Sequence, residues 1–412
     1  MFDTDEIAPP SLAPEVFDQL RQDLDAHGPR AAVERLCATL RDLGDYNALF
    51  YALLMKKRVE MGVSPFPTGA ASELPKETHA EYEEAIREAG RLVGRLHLDR
   101  GELPKAWFFF RMLDEPGPVV EAIDRFQPAA EADIQPVVEI ALYQMVHPKK
   151  GFDLVLERYG ICSAITTFSS QDWSRSPEGK QHAIGQLVRH LYEQLRERLQ
   201  ADLSARGESV AAGASIRELV AGRDHLFEDG CYHIDTSHLS SVVSYSLELA
   251  DGGPLGLARE LCEYGERLGS QFKQDADPPF EDSYRDYRIL LEVFDRANVA
   301  AGLAHFHNKV EPGLAEGNTF PAEVYVNILL RLGRKGEAVE AAKTYLGEVN
   351  RQTVCPGVYE LCQDVGDYAG LAEAARQRAD GVNFLAGLIK AGSPGRSSTT
   401  RAATGPRPAP GD

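Results

Sequence analysis

One short reversal recurs along this chain and limits what it can fold into. A glycine or small residue beside polar residues stands at Leu43-Gly44-Asp45-Tyr46, Asp99-Arg100-Gly101-Glu102, Asp251-Gly252-Gly253, Asp295-Arg296-Ala297-Asn298, Leu332-Gly333-Arg334-Lys335 and Val365-Gly366-Asp367-Tyr368. A small or apolar residue such as Ala106 or Ala338 follows about five positions on. A helix that must reverse within a few residues ends readily on glycine, which enters the left-handed conformation at less cost than other residues. A small side chain early in the next helix lets the two helices approach closely. Repetition of the device implies repetition of a helical hairpin.

Between these reversals the apolar residues recur at three- and four-residue steps. From Ile184 to Leu203 the series Ile184, Leu187, Val188, Leu191, Tyr192, Leu195, Leu199 and Leu203 marks one face of a helix. Arg189, Glu193, Arg196 and Glu197 occupy the other face, at spacings that let opposite charges meet. The same periodicity appears at Tyr284, Tyr287, Leu291 and Phe294, and at Leu239, Val242, Val243, Leu249 and Ala250. Ile161 to Phe168 could form a short strand, but an isolated strand has no sheet to join. The expected fold is all-α.

In the last third of the chain the repeat has a measurable period. Leu332-Gly333-Arg334-Lys335-Gly336-Glu337-Ala338-Val339-Glu340-Ala341-Ala342-Lys343 resembles the turn and second helix of a tetratricopeptide repeat, with Gly333 and Ala338 at the turn glycine and the small packing residue. A second copy starts 33 residues later at Gly366, near the family period of about 34, and departs from the pattern by placing Leu371 where the family prefers alanine. The spacing is 36 from Ala297 to Gly333 and 45 from Gly252 to Ala297, so the register loosens toward the N-terminus. The resemblance covers about residues 280–390 and implies stacked helical hairpins, a tetratricopeptide-like α-solenoid. In that family the first helix of each repeat lines a concave groove, where an asparagine often grips a peptide backbone. The resemblance therefore makes Tyr325 and Asn327 candidate binding residues.

Loop signals suggest the organisation along the chain. Residues 1–13 and 391–412 read as disordered tails, the latter rich in Gly, Pro, Ser and Thr and devoid of large apolar groups. Residues 14–274 read as an irregular helical-repeat region, and 280–390 as the regular repeats, with Asp275 to Pro279 between them. Gly62 to Lys76 and Arg206 to Ser215 read as further loops.

Composition narrows the function. A formal charge of -19 leaves no basic stripe for a phosphate backbone, so nucleic acid is not an expected partner. The longest nearly uncharged apolar runs fall far short of the ~20 residues that span a bilayer. The N-terminus lacks the basic start and apolar run of a secretory signal, so a cytoplasmic location is expected. Six scattered cysteines without a C-x-x-C pair read as reduced thiols.

Two constellations bear on chemistry. The run Asp224 to His238 holds His225, His233 and His238 beside Cys231 and four carboxylates. His233, Asp235, His238 and Cys231 could ligate a transition metal, and three such groups plus water would make a hydrolytic site. The competing reading has Asp235 or Thr236 as N-cap of the helix opening near Leu239. His305 and His307 lie about 200° apart around a helix and should diverge. Trp107, in Trp107-Phe108-Phe109-Phe110, is a candidate anchor for a partner, although consecutive helical positions point to several sides. No phosphate loop, nucleophile elbow or H-E-x-x-H helix is present. The expected function is a non-catalytic scaffold that binds a protein or peptide. The alternative is a metal-dependent hydrolase at His233, Asp235 and His238.

Overall fold

The structure, a computed structural model, describes residues 12–68, 74–250, 252–273, 276–347 and 354–392. Among these residues every regular element is helical. Most of the two tails read as disordered, residues 1–11 and 393–412, lies outside the described residues. The chain divides into two compact units with the boundary at Leu187/Val188.

The first unit contains α1 (Pro14–Leu43, broken at Gly28), α2 (Tyr46–Glu60), α3 (His79–Asp99), α4 (Leu103–Leu113), α5 (Gly117–Arg125), α6 (Gln135–Val138) and α7 (Pro148–Ser170). The stretch from Ile161 to Phe168 lies within α7 and is helical. The helix α8 (Pro177–Ala205) runs through the boundary, and its apolar series from Ile184 to Leu203 is buried throughout. Glu193 pairs with Arg196 on the wet side.

The second unit continues with α9 (Ile216–Val220), α10 (Thr236–Ser246), α11 (Gly253–Glu266), α12 (Ser283–Phe294), α13 (Val299–His307), α14 (Val310–Ala315), α15 (Phe320–Arg331), α16 (Lys335–Leu346), α17 (Val358–Val365), α18 (Tyr368–Gln377) and α19 (Gly381–Gly392). The loop around residues 276–279 does not separate compact units. It joins α11 to α12, which pack tightly: a Cβ on Gly265 would lie 2.5 Å from the Tyr284 ring.

Five of the recurring reversals close by one hydrogen-bonding device. The amide of the residue that starts the next hairpin arm reaches back five positions, as in Asp45 to the Leu40 carbonyl (3.0 Å), Glu102 to His97 (2.9 Å), Arg334 to Leu329 (2.9 Å) and Asp367 to Cys362 (2.8 Å). This satisfies a carbonyl that the helix end would leave orphaned, and it requires positive φ at the intervening residue. Gly44, Gly101, Gly333 and Gly366 supply it, with φ between 73° and 77°. Further helix ends close the same way without having stood out in the sequence, among them Asn318 to Gly313 (2.9 Å) and Asp380 to Ala375 (2.8 Å).

Four residues after each N-cap the chain meets the preceding helix. Leu49, Ala106, Ala338 and Leu371 all occupy that position and are buried. Gly302 holds it in α13, where a Cβ would overlap Val293 Cγ2. The pairs run antiparallel: in α3 and α4, Gly90 faces Leu113 and Gly94 faces Phe110. From α15 onward each helix packs on its chain neighbours, α15 on α16, α16 on α17, α17 on α18 and α18 on α19. Val326, Ile328, Leu329, Ala338, Ala342, Leu346, Val358 and Leu361 belong to one continuous core between them. The C-terminal hairpins are thus stacked in series, as in an α-solenoid.

Candidate functional site

A shallow groove of about 320 Å³ lies where α13, α15 and α16 of the second unit meet. Its position follows from the packing just described. Pro321 opens α15 at a position where its missing amide costs nothing, and Gly333 turns the chain into α16. Ala338, with no side chain beyond Cβ, lets α16 lie close on α15.

The groove is lined along one helical face of each element. Tyr325 and Leu329, four apart on α15, form one wall, and Glu337, Glu340, Ala341, Thr344 and Tyr345 recur at helical spacing on α16. His307, the last residue of α13, closes one end: its ring lies 5.1 Å from the Tyr325 ring, and its Nε2 is 3.0 Å from the Tyr345 hydroxyl. Burial pushes the Tyr325 phenol above its ordinary pKa, so it is a neutral hydrogen-bonding group throughout the physiological range. Glu337 pairs with Arg334 and Glu340 with Lys343, both carboxylates lying largely in solvent.

Tyr325 lines this groove. Asn327 does not share the groove. Two residues from Tyr325 on the same helix it points about 200° away, and it is exposed. Tyr345, Glu337 and Glu340 were not singled out from sequence, and His307 was considered only as half of a diverging histidine pair. The i, i+3, i+7 spacing of Glu337, Glu340 and Thr344 was legible, but nothing local said that His307 would reach across from α13.

Trp107 is half-buried, and its indole N–H donates to the Gln144 side-chain oxygen at 2.6 Å. Its neighbour Phe108 is the exposed ring, at 51%, while Phe109 and Phe110 are buried. The helix α4 is thus buried along one side, with Pro104, Lys105, Phe108, Arg111 and Met112 exposed on the other, and Trp107 is held by its own chain.

The cluster from Asp224 to His238 is occupied by local structure. Asp235 caps α10, accepting from the amides of Ser237 (2.8 Å) and His238 (3.4 Å) and from the Ser237 hydroxyl (2.6 Å). The Tyr264 hydroxyl accepts from the His233 amide at 2.8 Å and lies 3.0 Å from its Nδ1, to which it donates once the Asp202 carboxylate, which can only accept, holds the ring proton on Nε2. Nε2 lies 3.3 Å from that carboxylate. That tautomer, assigned from the hydrogen-bond network, leaves no free lone pair on the ring. Burial lowers the His233 pKa, with Asp202 opposing the shift. Cys231 is an exposed free thiol. Among the described residues no group of three His, Cys, Asp or Glu side chains is placed to hold a metal ion.

His305 and His307 diverge as their spacing required. His305 Nε2 meets the buried carboxylate of Asp286 at 2.7 Å, which also takes Lys309 at 2.9 Å. All six cysteines are free. No helix among the described residues is long and apolar enough to cross a membrane. Comparison with protein families, curated proteins and solved structures gives no significant match.

Proposed function

We propose that this chain is a non-catalytic protein- or peptide-binding scaffold of the cytosol. Its C-terminal hairpins act as tetratricopeptide-like repeats, and the groove at Tyr325 receives an extended basic peptide. The observation that carries this reading is the gathering of Tyr325, Tyr345 and His307 at one groove flanked by Glu337 and Glu340. Aromatic walls offer large contact area at low entropic cost, and their faces attract a lysine or arginine head group. The two glutamates are engaged only in exposed pairs of about 0–1 kcal/mol, so exchanging their present partners for a ligand cation costs little. A chain of net charge -19 also draws cationic segments toward it.

The test is selection of random peptides on the full-length protein. The expected winners are rich in Lys and Arg, bind more weakly as salt rises, and lose at least tenfold in affinity to a Glu337→Lys, Glu340→Lys variant and to Tyr325→Ala. Both glutamates are exposed, so the charge reversal leaves the fold intact, checked by circular dichroism. Selected peptides that bind the charge-reversed protein equally well would overturn the assignment of this groove, and a selection that yields none would overturn the reading itself.

A further inference from the structure

Helices inside the C-terminal series have a neighbour on each side. The helix α16 lies between α15 and α17, and α18 between α17 and α19. The last one, α19, packs on α18 and has no following hairpin among the described residues. Its inner side is fixed by Gly387, where an added Cβ would sit 3.0 Å from the Tyr368 carbonyl oxygen and 3.1 Å from Ala372 Cβ.

At ~100° per residue, Val382, Leu385 and Ile389 all fall within about 40° of the pole opposite Gly387. They are 80%, 57% and 62% exposed, and Leu388 beside them is 48% exposed. The helix bears a single charged side chain, Lys390. The exposed positions of α18 are different in kind, including Glu373, Arg376 and Gln377. An end of a stacked array that faces water needs a polar outer face, and α19, the last helix among the described residues, presents a row of large aliphatic side chains instead.

We propose that this row is a self-association surface, covered by α19 of a second copy of the chain. Residues 393–412 offer no Val, Leu, Ile, Met, Phe, Tyr or Trp side chain to bury against it. A partner that recognises charge finds only Lys390 on the helix. A second copy brings the same aliphatic row. Pairing two α19 helices about a two-fold axis sets apolar on apolar and brings no carboxylate of α19 into the contact, in a chain whose net charge of -19 opposes association elsewhere. The row offers on the order of 400 Å² per copy, about half of the ~800 Å² per partner in a standard interface, so the dimer is weak and reversible.

Sedimentation equilibrium of the full-length protein, from about 1 to about 200 µM, tests this. The expected result is a weight-average mass that climbs from one 45.3 kDa chain toward two as concentration rises. Leu385→Glu, and separately Val382→Lys with Ile389→Lys, should stay monomeric with an unchanged circular dichroism spectrum. A protein that is monomeric across the range, or a dimer indifferent to both variants, would overturn the proposal. So would monomeric protein that co-sediments with neutral phosphatidylcholine vesicles through the same residues, which would assign the row to a lipid surface.

Discussion

The hairpin stacking turns on contacts too close for a side chain, and Gly302 gives the sharpest test of one. It lies inside α13, where replacing glycine by alanine should gain about 1 kcal/mol from helix propensity. The new Cβ would overlap Val293 Cγ2 on α12, which is buried and packed from all sides. Forcing a methyl group into such a contact costs about 1–3 kcal/mol. The clash should win, leaving Gly302→Ala less stable by roughly 1 kcal/mol. Val293→Ala alone should cost about 2 kcal/mol through the cavity it leaves. Once that cavity is present the added methyl has room, so Gly302→Ala in the Val293→Ala background should stabilise by about 1 kcal/mol. The sign reversal is the signature. Hydrogen exchange by mass spectrometry on peptides from α12 and α13 reads it locally, which suits a chain with two compact units. If Gly302→Ala stabilises the otherwise unaltered protein, or if its effect is the same with and without Val293, the close approach of α13 to α12 is wrong.

Several other perturbations have defined outcomes. Within α4, Phe110→Ala should lower stability by about 3–5 kcal/mol while Phe108→Ser changes it by less than about 0.5 kcal/mol, measured by urea denaturation, because only the first ring is buried. Asp235→Ala should cost about 1 kcal/mol by loss of the α10 cap, while elemental analysis of His233→Ala, His238→Ala should match the parent protein. His233 has a folded-state pKa below its ordinary 6.5, so the unfolded chain takes up the proton first and stability falls as pH drops below about 6.5. His233→Gln should flatten that fall in melting temperature between pH 7.5 and 5.5. Asp367 is held below its ordinary 3.8 by the Lys343 ammonium and the Gly370 amide. Its contribution is therefore present above about pH 4 and is lost as acid protonates it, and Asp367→Asn should remove that part of the acid transition seen by circular dichroism.

The helical architecture was readable because its determinants are local. Gly44, Gly101, Gly333 and Gly366 each reverse the chain by the same bond, and the apolar series from Ile184 to Leu203 is buried as its period required. The reversal at Ala379 was harder to see because a side chain other than glycine's takes the left-handed conformation there. The unit boundary was not legible. The loop at residues 276–279 looks like a linker in composition, but Gly265 and Tyr284 bind its flanking helices together, and no sequence pattern near Leu187 marks a division within a continuous helix. The candidate groove was half legible. Tyr325 could be placed on a first helix by resemblance, whereas its meeting with His307 and Tyr345 depends on how successive hairpins rotate, which no local spacing encodes.

Ring contacts at this groove report hairpin stacking and site assembly together. In deuterated protein carrying protonated histidine and tyrosine only, a nuclear Overhauser spectrum should connect the His307 ring to both Tyr325 and Tyr345, whose ring centres lie 5.1 and 6.1 Å from it. Resolved His307 signals with no cross peak to either tyrosine would mean that α13, α15 and α16 do not pack in series, and the scaffold and its groove would fall with them.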